Sequence, residues 1–324
     1  MPPKALVFGG GSIGAISTYL LSKSIPPSHL VALCRSNYRV VAEHGFNINS
    51  RVWGPNLNVR PTVARSMDEA IQKTPGGFDY ILLTTKALSS TTQFPSSIKP
   101  LVSPHTAIVL MQNGISIEEP YLTIFPNNPI LSAAIYITCT QTKPGIFDHV
   151  VLKNIHLGTY PATAPDEHKA SADQLVKMLN HGGADATHEP DIQVERWRKL
   201  LINASDNPIC ALGRLRDATF LTIPGAISFM RDVMHEIALV ARSVGYHAVD
   251  EKIVDQQMAL LTAREMPGVE PSMMADAIAS RQMEVECILG NTVRIAHDHG
   301  VKVPRLETLY YLASALNRSF QSNQ

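Results

Sequence analysis

Three glycines near the start of the chain have the spacing of a phosphate-binding loop. Gly9, Gly11 and Gly14 form the pattern G-x-G-x-x-G between a short apolar run and an amphipathic segment. In such a loop the first glycine permits a tight turn, the second admits a pyrophosphate, and the third lets the helix pack on the strand. The amides of Ser12 and Ile13 would then face the phosphates from the helix N-terminus. A lone triplet is more often a turn or linker, but this strand–turn–helix context predicts a dinucleotide site.

The residue after the second apolar run indicates which dinucleotide binds. Arg35 stands about 20 residues past the glycines, where an NAD-binding fold would place an acidic residue for the ribose 2′-hydroxyl. A guanidinium can bind a 2′-phosphate through two hydrogen bonds, whereas a carboxylate would repel it. The alternative is a solvated charge at a strand end. The sequence favours NADP(H) as the cofactor.

Polar residues in the second half of the chain recur at a helical spacing. Lys199, Asn203 and Asn207 are four residues apart, so they share one face of a predicted helix. Because apolar residues flank Lys199, it is either a snorkelling lysine or an amine whose pKa is tuned by burial.

The same spacing recurs further along the chain, and it predicts one long helix over 272–299. Its polar positions are Ser272, Asp276, Ser280 and Glu284. Such a stripe is usually the solvated face of an amphipathic helix, and that reading stays open for Asp276 and Ser280.

The alternation of elements predicts the fold class. Apolar strands and helical segments alternate in the first half, and Lys86 and Asn113 follow two of the strands at the edge where parallel sheets bind ligands. From about residue 191 only helices follow. We therefore predict an α/β protein with an N-terminal Rossmann-type parallel-sheet domain, 1–190, followed by an all-α C-terminal domain, 191–324. The other helices predicted in this second half cover 194–206, 230–245 and 305–317. The first of them is interrupted near 207–208.

Composition sets limits on partners and compartment. The 324 residues include 28 basic and 28 acidic side chains, so no overall field favours nucleic acid or an anionic membrane. No apolar run approaches the roughly 18 residues of a membrane span. The four cysteines lack C-x-x-C spacing and the histidines are not clustered, which predicts reduced thiols and no metal site. With no signal peptide visible, the expected location is cytoplasmic.

The order and spacing of several motifs resemble the ketopantoate reductase (2-dehydropantoate 2-reductase) family over nearly the whole chain. The motifs are the glycine loop, the strand end 82–86, the run 111–114, the helical signature 197–208 and the segment from 271 through Glu284 to Gly290.

The resemblance implies roles for the residues that match the family's motifs. It makes Lys199 the proton donor to the carbonyl oxygen during hydride transfer from NADPH, with Glu284 supporting that lysine and the substrate. The implied substrate ligands are Asn203, Asn207 and Ser272, and the further implied cofactor contacts are Lys86 and Asn113. A cation with a transferable proton suits this role, because negative charge develops on the carbonyl oxygen during hydride transfer.

Two departures from the family's pattern concern the substrate. Val269 and Asp217 stand where substrate-binding asparagines are common. Fewer amide donors, and an added negative charge, would weaken recognition of ketopantoate. We therefore expect an NADPH-dependent reductase of a 2-oxo acid or related small carbonyl compound. Ketopantoate, and with it pantothenate biosynthesis, is the leading candidate.

Two other classes of function stay open. One is a non-catalytic NADP(H)-binding sensor or interaction protein, against which the joint presence of Lys199, Asn203 and Glu284 argues. The other is reduction of a different substrate in the same scaffold, such as an imine. The oligomeric state is open between a monomer and a homodimer.

The cofactor assignment gives the first testable prediction. Arg35→Ala should weaken binding of NADPH far more than binding of NADH, since only NADPH carries the 2′-phosphate. The selective loss should be roughly tenfold to a hundredfold, the weight of a charge-assisted hydrogen bond. Fluorescence titration of both cofactors measures it. Equal losses, or a wild-type preference for NADH, would refute the assignment.

Overall fold

A computed structural model describes residues 2–88 and 91–321 of the chain. These residues form two compact units. The first unit comprises 2–86, 91–112 and 118–192, and the second comprises 87–88, 113–117 and 193–321. The two short segments 87–88 and 113–117 thus belong to the second unit although they interrupt the first along the chain.

Within its described residues, the first unit is built on one ten-stranded sheet. Its strands are β1 (Ala5–Phe8), β2 (Leu30–Leu33), β3 (Phe46–Ser50), β4 (Gly54–Val59), β5 (Thr62–Ala64), β6 (Tyr80–Leu83), β7 (Ala107–Leu110), β8 (Ile130–Lys143), β9 (Ile146–Thr159) and β10 (Asp185–His188). They follow the order β4-β3-β9-β8-β7-β6-β1-β2-β5, with β10 paired to β9. The strands β1, β2, β6 and β7 pair in parallel and are buried along their whole length, as their continuous apolar runs predict.

The sheet is mixed where the sequence predicts a parallel one. The strands β8 and β9 form a long antiparallel pair, and β3 pairs antiparallel with β4. The strands β3 and β4 escape prediction because they are rich in asparagine and exposed positions, which weakens the apolar signal. The predicted α/β class is confirmed.

The described part of the first unit also contains α-helices that accompany the sheet. They are α1 (Ser12–Leu21), α2 (Tyr38–His44), α3 (Met67–Lys73), α4 (Gln93–Ser97), α5 (Glu119–Ile124) and α6 (Asp166–His181). Ile16 and Leu20 of α1 are almost fully buried in the same core as Val7 and Leu82 of the sheet. This packing fixes the start of α1 directly after β1.

The regular secondary structure of the second unit is all helical within its described residues. Its helices are α7 (Ile192–Asn203), α8 (Asp206–Gly213), α9 (Asp217–Phe220), α10 (Ala226–Ser243), α11 (Glu251–Thr262), α12 (Ser272–Ile278), a π-helix (Glu286–Gly290), α13 (Asn291–Asp298) and α14 (Pro304–Gln321). Met230, Val233 and Ile237 of α10 lie fully buried in its core. Over residues 2–88 and 91–321, no helix has the length and apolarity needed to cross a bilayer.

The prediction of one long helix over 272–299 is wrong. The helix α12 ends at Ile278, and Ser280 adopts a left-handed conformation with φ of 50°. The amide of Ser280 bonds to Ala277 O and that of Arg281 to Asp276 O, which is the Schellman pattern of a helix end. Sequence analysis missed this helix end because the left-handed residue is a serine and not the usual glycine. Ser272 and Glu284 therefore do not lie on one continuous helix face.

The break in the predicted helix 194–206 also falls earlier than expected. The helix α7 ends at Asn203 and α8 begins at Asp206. Pro208 has no N–H to donate to Ala204 O, so its effect appears one turn before the proline itself. The predicted ends near Gly245 and Gly300 are confirmed, since α10 ends at Ser243 and α13 at Asp298.

The helix end at Ser280 makes a prediction for stability. Ser280→Gly should raise the free energy of unfolding by about 0.5–1 kcal/mol, because glycine adopts the left-handed conformation without the Cβ penalty. Ala279→Gly is the matched control, since Ala279 has φ of −83° and should lose stability there. Urea denaturation followed by circular dichroism measures both. A loss of stability in Ser280→Gly would contradict this helix end.

Candidate active site

The glycine loop of the first unit has the backbone geometry that a dinucleotide needs. Gly9 has φ of 130°, and a Cβ on Gly14 would lie 1.9 Å from Gly9 O. The turn and the close packing of α1 therefore both require glycine. A Cβ on Gly11 would meet nothing within 4 Å, and Gly11 is exposed. Since no described side chain caps the N-terminus of α1, the amides of Ser12 and Ile13 are placed to receive a pyrophosphate.

A buried asparagine, not anticipated from the sequence, holds this loop in place. Asn37 is 4% exposed, and its Nδ2 donates to Gly10 O at 2.6 Å. Its amide also exchanges hydrogen bonds with the amide of Gln141 on β8. Arg35 lies exposed two residues earlier, directly after β2 and Cys34. The arrangement fits the glycine loop of a dinucleotide site, with Arg35 exposed just past the end of the neighbouring strand β2.

Lys86 is the last residue of the first segment of the same unit. It is exposed and follows β6 by three residues. The residues that come next along the chain, 87–88, belong to the second unit.

The second unit brings Lys199, Asn113 and Glu284 together. Lys199 Nζ donates to Asn113 Oδ1 at 2.8 Å, and Asn113 Nδ2 donates to Glu284 Oε2 at 3.3 Å. The other carboxylate oxygen, Glu284 Oε1, accepts from the amide of Ala87 at 3.0 Å. Glu284 is 8% exposed, so this carboxylate is buried and bound through both oxygens. Three residues far apart in sequence thus form one hydrogen-bonded row, here called the lysine–amide–carboxylate row.

Burial changes the chemistry of the lysine. Burial, the largest cause, and the positive charge of Arg196 together lower the pKa of Lys199 to about 7, against the opposing effect of the negative charge of Glu284. An amine with such a pKa is both a proton donor and a proton acceptor near neutrality, which suits general acid–base catalysis. Arg196 is itself buried, at 4% exposure, and was not anticipated from the sequence.

The two predicted substrate asparagines follow Lys199 along the chain. Asn203 is the last residue of α7, and Asn207 lies in the first turn of α8 with 5% exposure. Neither side chain is hydrogen-bonded to another residue in the described part of the chain. An amide without a protein partner can bond to a polar ligand, and such a hydrogen bond contributes roughly 0.5–1.5 kcal/mol. Ser272 is exposed at the start of α12.

Asp217 does not present a negative charge as the sequence suggested. It is fully buried, its Oδ1 accepts from the amides of Ala218 at 2.6 Å and Val269 at 2.8 Å, and its Oδ2 is paired with Arg264. The carboxylate is therefore neutralised inside the fold, where it ties the loop before α12 to α9. Val269 is 42% exposed.

Family models match most of the chain. The model described as ketopantoate reductase PanE/ApbA covers residues 5–162, and the model of the C-terminal part of the same family covers residues 191–317. An uncharacterized protein of Saccharomyces cerevisiae is 28% identical, over 95% of this chain and 92% of that protein.

Solved structures share the fold over nearly the full length. A 2-dehydropantoate 2-reductase from Methylococcus capsulatus is 31% identical with a TM-score of 0.83, over 98% of this chain and 97% of that one. A D-mandelate dehydrogenase, solved with NADH and anilino(oxo)acetate, is 21% identical with a TM-score of 0.81, over 98% of this chain and 99% of that one.

The electrostatics of the row predict how the lysine titrates. Glu284→Gln should lower the pKa of Lys199 below about 7, because the negative charge of Glu284 raises it. The pH dependence of lysine acylation at Lys199, followed by mass spectrometry, gives the midpoint. Glu236→Gln is the matched control, since that carboxylate is likewise buried in the second unit and bonds to Arg305 and to the amide of Leu306 instead. A midpoint that rises in Glu284→Gln would contradict the proposed electrostatics.

Proposed function

The chain belongs to the ketopantoate reductase family, and on this premise we propose that it is an NADPH-dependent reductase of a 2-oxo acid with Lys199 as general acid. The observation that carries the proposal is the lysine–amide–carboxylate row, in which a half-buried lysine with a pKa of about 7 is hydrogen-bonded to Asn113, which is bonded in turn to Glu284. A sensor that only binds the nucleotide has no need for an amine whose pKa is lowered to about 7.

The row supplies what carbonyl reduction requires from the protein. When bound, the reduced nicotinamide supplies the hydride. Negative charge then develops on the carbonyl oxygen, and protonated Lys199 both stabilises this charge and donates the proton that makes the hydroxyl. Asn113 and Glu284 hold Lys199 in place, and the charge of Glu284 favours its protonated form.

The cofactor half of the proposal depends on the glycine loop and Arg35. The amides at the start of α1 would bind the pyrophosphate, and Arg35 would bind the 2′-phosphate that distinguishes NADPH from NADH. Lys86 and Asn113 would contact the nicotinamide end. In this division, residues up to about 190 bind the nucleotide and the helical residues after them bind the substrate.

The substrate half depends on the amides of the second unit. Asn203 and Asn207 offer donors and acceptors to a small molecule with a carboxylate or hydroxyl, and Ser272 adds a hydroxyl. Ketopantoate is the leading candidate, with a place in pantothenate biosynthesis in the cytoplasm. Val269, where the family commonly has an asparagine, should make ketopantoate a poorer substrate here than for typical family members, because a substrate hydroxyl left without its hydrogen-bond partner is strongly rejected.

Removal of the amine is the direct test of the mechanism. Lys199→Ala should leave NADPH affinity nearly unchanged and lower turnover with 2-oxo acids by roughly 10²–10⁴, the usual weight of a positioned general acid. Lys177→Ala on α6 is the matched control, since its side chain is exposed in the first unit. Steady-state kinetics with ketopantoate and a panel of 2-oxo acids measure the effect. Activity retained within severalfold would refute the role of Lys199.

The wild-type enzyme should also show the titration of this amine. Because reduction needs the protonated lysine, kcat/KM should fall as the pH rises through about 7, the pKa of Lys199. The alkaline limb should be absent from the residual activity of Lys199→Ala. A profile that stays flat to pH values well above the pKa would contradict proton donation by Lys199.

A further inference from the structure

The amide at the centre of the lysine–amide–carboxylate row must point one way. Asn113 Oδ1 faces the Lys199 amine and Nδ2 faces the Glu284 carboxylate. A rotation of the amide by half a turn would set its NH₂ group against the amine and its oxygen against the carboxylate. The row therefore depends on how the backbone around Asn113 is held.

Hydrogen bonds to the backbone hold the segment 113–117. Arg196 Nη1 donates to Gly114 O at 2.7 Å, and the amide of Ile115 donates to Cys287 O at 3.0 Å. Asn291 Nδ2 donates to Ile115 O at 2.6 Å. Both backbone groups of Ile115 are therefore bound by residues of the π-helix Glu286–Gly290 or the residue that follows it.

The π-helix explains how Cys287 O comes to accept from outside its own helix. The backbone amide of Asn291 donates to Glu286 O, five residues back, and not to Cys287 O, four residues back. In an α-helix the Cys287 carbonyl would receive that amide. The wider turn releases this carbonyl to Ile115, and π-turns are frequent at functional sites.

The segment lies so close to the π-helix that only glycine fits at one position. Gly114 has φ of 108°, and a Cβ there would lie 2.5 Å from Cys287 O. The contact is thus a close backbone approach, which a small displacement of the π-helix would disturb.

Asn291 is itself fixed in the orientation that this contact needs. Its side chain is 4% exposed, and its Oδ1 accepts from Arg294, which also pairs with Glu286 at 3.0 Å. With the oxygen bound by Arg294, Nδ2 must face Ile115. Asn291 therefore contributes to both hydrogen bonds of the Ile115 backbone. Its side chain donates to Ile115 O, and its backbone amide, which bonds to Glu286 O, leaves Cys287 O available to the amide of Ile115.

We propose that Asn291 is a positioning residue that orients the Asn113 amide, and through it the Lys199 amine, by holding Ile115 against the π-helix. The kinetic consequence rests on the proposed function, but the structural consequence does not. The side chain of Asn291 bonds to Ile115 and Arg294, which lie outside the row, so its effect passes through the segment 113–117.

Kinetics test the first consequence. Asn291→Ala should lower kcat roughly five- to thirtyfold, the weight of one buried hydrogen bond, with little change in KM for NADPH. Asn128→Ala is the matched control. Asn128 is a buried asparagine of the first unit, 8% exposed, whose Nδ2 likewise donates to backbone carbonyls. It should lose stability to a similar extent and keep the wild-type kcat.

A measurement without turnover tests the second consequence. The midpoint of Lys199 acylation against pH should rise in Asn291→Ala toward the ordinary range of lysine. The reason is that loosening the segment 113–117 admits water, and burial is the largest cause of the lowered pKa. The charged groups that act on this amine are Glu284, from the stretch before the π-helix, and Arg196, on its own helix. If the alanine variant does not fold, Asn291→Ser carries the same test, because its shorter side chain cannot keep the bond to Ile115 O.

The two measurements separate the positioning role from the proposed function. A raised midpoint in Asn291→Ala, together with a wild-type midpoint in Asn128→Ala, supports the inference. It does so even if no 2-oxo acid is reduced, an outcome that would refute only the proposed function. A midpoint that is unchanged in Asn291→Ala, or that rises equally in Asn128→Ala, overturns the inference, whatever the turnover.

Discussion

The candidate active site depends on one amide placed between a half-buried amine and a buried carboxylate. Removing a lysine from water disfavours its charged form, and at Lys199 this effect outweighs the attraction of Glu284. The result is an amine that exchanges its proton near neutrality. Asn113 joins the two groups through one hydrogen bond to each, so the positions of both depend on the backbone that carries this amide.

That backbone depends in turn on irregular structure. The π-helix Glu286–Gly290 follows two residues after Glu284, and it releases a carbonyl that binds Ile115. A regular α-helix through this stretch would use that carbonyl internally. The departure from regular geometry therefore serves the row, since it holds the segment 113–117 that carries the amide.

In the glycine loop, too, a fixed backbone sets the positions of the groups that would bind a ligand. The turn of this loop is fixed by Gly9 and Gly14, where a Cβ would clash, and hydrogen bonds between the amides of Asn37 and Gln141 tie it to the long strand β8. The backbone amides at the start of α1 receive no cap from any described side chain. A loop whose backbone is fixed by Asn37 and whose amides have no side-chain cap is suited to phosphate binding.

The sequence by itself determined the α/β class and the glycine loop, because these depend on local periodicity and on backbone conformations that only certain residues adopt. It also marked Lys199 and Glu284, through their place in motifs. Only the tertiary structure decided which groups surround them. It ended α12 at a left-handed serine, neutralised Asp217 with Arg264, and set Asn113 beside Lys199, 86 residues away in sequence. Contacts across such separations leave no periodic signal, because they arise from packing among whole elements.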